Sequence, residues 1–161
     1  MIKLVVVTDS DHCIGSPGEG ANWYQQLPAN VVDGIKSAYL AADQIAISRQ
    51  CFSELVPVAA KGFWLSASNA DRPAAVSKKL KACADLNEVV RKHISSGDEL
   101  VVAGGATLFR SFLPHAAVID LFVVDSPLNG EIIFSDWNDG SFDVVDEMEK
   151  DGYKIQRMFR V

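Results

Sequence analysis

"VVAGGATLFRSFLP", residues 101–114, decides how the rest of the chain is read. An apolar run ends in Gly104–Gly105, and an apolar-periodic segment follows, closed by Pro114. That order predicts a strand, a sharp turn and a helix. Two glycines at such a junction let a ligand come close to the backbone, because no Cβ stands in the way. The amides of Ala106, Thr107 and Leu108 are then the unpaired donors of a helix N-terminus, which suit a phosphate. The other reading is a tight turn with no ligand. The motif is not GxGxxG, so the local pattern leaves both open.

Outward from this stretch, strands and helices alternate. "IKLVVVT" at 2–8 is an unbroken β-branched run, as in a strand buried on both faces. The glycines and proline of "DSDHCIGSPGEGAN" predict a loop. Pro28 suits the first turn of a helix running to about Tyr39. "DQIAIS" (43–48), "KGFWLSAS" and "LKAC" read as further strands, and "SRQCFSEL" as a turn into a short helix. Asp85 and Glu88 stand at capping-box spacing before another helix. "VIDLFVVD" is a strand, and "FDVVDEMEKDGYKIQRMFRV" is two strands about an Asp-Gly turn. The expected fold is an α/β domain: a mostly parallel mixed sheet flanked by helices, with a C-terminal antiparallel hairpin. The 161 residues suit one domain, 1–161, with no repeat or linker.

Composition narrows the partners. The chain is 48% hydrophobic and 22% charged, with a net charge of −6. No Lys/Arg stripe favours nucleic acid, and "SKKLKAC" reads as a solvated face. Cys13, Cys51 and Cys83 have no CxxC spacing, so neither a disulfide framework nor a zinc site is expected. No apolar run is long enough to span a bilayer, and the N-terminus lacks a signal-peptide pattern. The expectation is a cytoplasmic monomer acting on a small molecule.

Few other residues signal chemistry. Arg49, just past a strand in "ISRQCF", could pair with a phosphate or be a surface arginine. "GSPGEG" does not join a strand directly to a helix and reads as a flexible loop. His12, His93 and His115 have no partner at ligand or triad spacing, and no nucleophile elbow or metal motif occurs.

Taken in order, the segments resemble dihydrofolate reductase over nearly the whole chain. "MIKLVVVTDSDHCIG" resembles that family's first strand and the start of its active-site loop, and Trp23 the loop's tryptophan. "LPAN" resembles Leu-Pro-x-Asp/Glu, and "ISRQCF" resembles Met-Gly-Arg-x-Thr-Phe/Trp. "WLSAS" resembles a strand ending near the adenosine end of the cofactor. "VVAGGATLFRSFLP" resembles Val-Ile-Gly-Gly-x-x-Ile/Val-Tyr…Leu-Pro, and "NGEIIFSDW" the Gly-Asp-x-x-Phe-Pro segment.

The resemblance implies NADPH as cofactor. Carried over residue by residue, it implies cofactor contacts at Val7, Ile14, Gly15, Arg49, Gln50, Cys51, Ser66, Ala67, Gly104, Gly105, Ala106, Thr107 and Leu108. Cys51 stands where the family usually has Thr, and Phe109 where it has Tyr. The implied substrate side is Val5, Val31, Ile35, Phe52, Leu55, Lys61, Ala103, Phe109 and Val124.

The substrate side departs from the family. Asn30 occupies the position of the acid that holds the pterin and assists its protonation. An amide can hydrogen-bond the ring but carries no charge to favour its protonated form. Val124 is read at the place of a Thr, and Ala60, beside Lys61, at that of a carboxylate-binding Arg. Asp33, three residues after Asn30, is a candidate replacement acid. The implied reaction is reduction of 7,8-dihydrofolate, weak for want of the acid, with Asn30, Asp33 and Trp23 at the reacting end. The alternatives are a reductase of the same fold acting on another pterin or a riboflavin-pathway pyrimidine, and a nucleotide-binding relative that has lost its chemistry.

Overall fold

The computed structural model describes residues 1–15, 27–48, 60–65, 80–83, 85–94, 96–128 and 130–161. In chain order the strands and helices are β1 (Ile2–Asp9), β2 (Cys13–Gly15), α1 (Ala29–Ala41), β3 (Gln44–Ser48), β4 (Gly62–Leu65), β5 (Leu80–Cys83) and α2 (Leu86–His93). They continue as β6 (Leu100–Gly104), α3 (Ala106–Phe112), a 3-10 turn (Leu113–His115), β7 (Val118–Val124), β8 (Ile132–Ile133), β9 (Phe142–Lys150) and β10 (Tyr153–Arg160).

Eight strands form one sheet in the order β5-β4-β3-β6-β1-β7-β10-β9, while β2 and β8 pair separately. The pairs from β5 through β7 are parallel. β10 runs antiparallel to both β7 and β9. The sheet is therefore mixed and mostly parallel with a C-terminal hairpin, as the alternating pattern predicts. The apolar run of β1 lies at its centre because both of its faces are covered. Val5 and Val7 join the cluster beneath α1, and Leu4 and Val6 the cluster on the α3 side. The α1 stripe Val31, Ile35 and Tyr39 is 0–3% exposed and packs on the first of these.

Local signals act much as expected, with small differences. Pro28 is the cap of α1 rather than part of its first turn. Asp85 caps α2 by accepting from Asn87 N–H at 3.0 Å. Glu88 does not close the capping box; it faces Lys92 one turn on, 3.8 Å away. The helix after Gly105 ends at Phe112, and Pro114 falls in the 3-10 turn beyond it.

At the amino end of the sheet, Asp120 is nearly buried and bound bidentately by Arg157, with Nε–Oδ1 2.8 Å and Nη2–Oδ2 2.9 Å. Lys3 lies 3.4 Å from the same carboxylate and 3.3 Å from Glu99. Hydrogen bonding to Asp120 raises the Arg157 pKa further above its ordinary value. This network ties the hairpin to the centre of the sheet.

Candidate active site

β3 and β6 are neighbours, but the chain leaves them in opposite directions: from β3 to β4 on one side, and from β6 through α3 to β7 beyond β1. Such a reversal leaves a crevice at the carboxyl ends of the strands, where ligands of open α/β sheets bind. Ile47 pairs with Gly104 across it, with a register shift after Ala46. Gly104 has φ +123°, a conformation that favours glycine, and its peptide to Gly105 is cis. The Gly105 N–H donates to Ser48 Oγ at 3.3 Å. The first main-chain bond of α3 runs from Phe109 N–H to Gly105 C=O, so the amides of Ala106, Thr107 and Leu108 precede it. Gly105 and Ala106 are half-buried and Thr107 is exposed.

The N-terminus of α1 lies at the same end of the sheet, against the β9–β10 turn. Asn30 is exposed there. Its Nδ2 donates to the Asp151 carbonyl in the β9–β10 turn, and its Oδ1 accepts from Val31 N–H at 3.0 Å. One turn along, a Cβ on Gly34 would lie 3.0 Å from the Tyr153 hydroxyl and 3.3 Å from a Phe122 ring carbon. Phe122 and Tyr153 are stacked, with centroids 6.0 Å apart. The Asn30–Gly34 edge of α1 is thus fitted to the hairpin, while the Val31–Ile35 edge faces the sheet.

Asp9 fastens the other side. Its carboxylate is 5% exposed and accepts three main-chain N–H groups: Asp11 at 2.9 Å, Cys13 at 3.0 Å and Leu128 at 2.9 Å. It joins the end of β1 to β2 and to the segment after β7. A cavity of about 410 Å³ lies near this joint, lined among others by Asp9, His12, Asp125 and Lys154. It touches neither Asn30 nor Gly104, so it is not the crevice.

The expected site residues divide. Val7, Ala103, Gly104, Gly105, Ala106 and Thr107 gather at or beside the crevice, on β1, β6 and the start of α3. Val5, Val31, Ile35 and Val124 share one cluster but are 0–1% exposed, packed against each other, Phe122 and Tyr153. They form the floor of that region rather than an open lining. Phe109 lies on the other face, stacked on Phe134 at 5.4 Å, because its position on α3 points into the opposite cluster. Leu108 and Ile14 belong to that cluster too. Asp33 is exposed, two residues beyond Val31 and so on the far side of α1 from the sheet. Lys61 is exposed at the amino end of β4, the opposite end of the sheet from Gly104. Gly15 ends β2. Trp23, Arg49, Gln50, Cys51, Phe52, Leu55, Ser66 and Ala67 lie outside the described residues.

Two residues escape sequence reasoning. Ser48 is drawn to the crevice only by the β3–β6 pairing, which the linear pattern does not reveal. Asp9 had a visible signal, a carboxylate directly after the unbroken apolar run "LVVVT".

The family model described as dihydrofolate reductase matches residues 65–159, more than half of the chain and including Gly104–Gly105. The chain belongs to the dihydrofolate reductase family. That family is one of oxidoreductases. The solved dihydrofolate reductase from Enterococcus faecalis, complexed with NADP(H) and RAB-propyl, is similar with a TM-score of 0.71. The match covers 99% of this chain and 96% of that one at 15% identity, and establishes the fold. No curated protein matches the sequence significantly. Among the described residues no helix is long and apolar enough to cross a membrane.

Proposed function

We propose that the chain reduces 7,8-dihydrofolate to tetrahydrofolate with NADPH, through an active site in which Asn30 replaces the acid. One observation carries this reading: Gly104, at φ +123°, ends β6 beside β3 at the point where the sheet order reverses. A side chain there would be strained, and a strand end without one at a reversal of sheet order suits a dinucleotide laid close to the main chain. Val7, Gly104, Gly105, Ala106 and Thr107 would hold NADPH from the described side. Ile14, Gly15, Arg49, Gln50, Cys51, Ser66, Ala67 and Leu108 complete the set by family resemblance. When bound, NADPH supplies the hydride.

The chain's own residues orient and enclose. Ala29 and Asn30 begin α1 at the same end of the sheet as the crevice, the end where a flat heterocycle would lie. Asn30 can hydrogen-bond a ring edge but cannot release a net proton. Asp33 faces away, so the proton comes from water. Turnover is slow at neutral pH for that reason. The reading carries with it a single domain over 1–161, working as a cytoplasmic monomer.

A same-fold reductase of a riboflavin-pathway pyrimidine is the second reading. The observation favouring it is the Phe122–Tyr153 stack, which fills space beneath α1. Turnover of dihydrofolate, a simple dihydropterin and a ribosylaminopyrimidine with NADPH separates the two. Highest kcat/KM on dihydrofolate supports the proposal; preference for the pyrimidine overturns it.

A further inference from the structure

Ser48 sits at the last position of β3, beside the reversal point of the sheet. The family pattern quoted for "ISRQCF" has glycine there. The added hydroxyl does not point idly: Oγ accepts the Gly105 N–H at 3.3 Å. That bond is long for N–H···O, and an accepting hydroxyl keeps its own hydrogen. Among the described residues no acceptor for that hydrogen is found. Ser48 is half-buried, so the hydroxyl is neither lost in the core nor freely solvated. A half-buried donor at the carboxyl end of β3, against the Gly105 peptide, is placed to serve a ligand in the crevice.

We propose that Ser48 is a binding residue of the dinucleotide crevice, holding the Gly105 amide through Oγ and donating its hydroxyl hydrogen to an acceptor oxygen of NADPH. This deepens the function proposed above and rests on it. The hydroxyl orients the Gly105 peptide and the ligand with one atom. A neighbouring phosphate oxygen is the strongest acceptor a dinucleotide offers, and hydrogen bonds to charged groups are the stronger kind.

The test is titration calorimetry of NADPH against the unsubstituted chain, Ser48→Ala and Ser48→Thr, with thermal unfolding of each. Ser48→Ala should bind NADPH about tenfold more weakly. Ser48→Thr, which keeps the hydroxyl, should restore binding, and dihydrofolate affinity should be unchanged in both. Rescue by threonine separates a ligand contact from a general loss of structure. Equal or tighter NADPH binding by Ser48→Ala overturns the assignment while leaving the proposed function standing. No NADPH binding by the unsubstituted chain overturns both.

Discussion

The Asn30 side-chain amide donates to the main-chain carbonyl of Asp151, joining the first turn of α1 to the β9–β10 turn 121 residues away in sequence. A carbonyl oxygen needs a donor opposite it, which the amide supplies and an ionised carboxylate does not. An acid at residue 30 would face that oxygen with a second acceptor. The amide is therefore explained by the fold, at the position where the family's reaction uses a carboxylate.

Asn30→Asp accordingly separates stability from rate. Losing the donor to Asp151 should lower unfolding free energy by about 1 kcal/mol, read by urea denaturation. Repelled from the carbonyl, the carboxylate turns toward the crevice, and dihydrofolate turnover at neutral pH should rise about tenfold or more. Without an acid, kcat/KM should climb as pH falls, following protonation of the substrate in solution. In Asn30→Asp that slope should flatten near neutrality, since the carboxylate favours the protonated ring. An unchanged rate and slope would remove residue 30 from the chemistry.

Asp9→Asn tests the joint behind the crevice. The carboxylate accepts three amides, and an amide side chain must turn its NH2 toward one of them. A buried N–H then loses its partner, at a cost of about 2 kcal/mol. Because the joint holds the end of β1 to β2 and Leu128, KM for both ligands should rise, measured by steady-state kinetics. A variant with native melting and native KM would show that the three bonds are dispensable.

Gly62→Ala should prevent proper pairing of β4 with β3. At φ +142° a Cβ would overlap the Ile45 carbonyl oxygen and lie 2.6 Å from the Ile45 nitrogen. Both are main-chain atoms of the neighbouring strand and cannot turn aside. A loss of about 3 kcal/mol or more in chemical denaturation is expected. A loss below about 1 kcal/mol would contradict the close approach of these strands.

Much of this fold is legible in the sequence because its signals are local. The β-branched run 2–8 predicts β1 nearly to its ends, and Asp151-Gly152 between two alternating segments predicts the hairpin. Gly104–Gly105 marks the turn from β6 into α3 for the same reason. What is not legible is set by distant pairing. Nothing in "DQIAIS" says that β6 rather than β4 alone will lie beside it, so Ser48 gives no sign of reaching Gly105. The two-residue β8 is too short to show a period. Asp33 illustrates the opposite failure. Three residues from Asn30 is nearly the same helix face, yet α1 buries the stripe through Val31, and that choice sends Asp33 to solvent.

Dihydrofolate reduction is tested by the progress curve of NADPH oxidation on adding a limiting amount of dihydrofolate. Slow consumption of one NADPH per dihydrofolate is expected, stopping when the substrate is spent and absent without dihydrofolate. NADPH oxidation that ignores dihydrofolate, or none at all at high protein concentration, would contradict it.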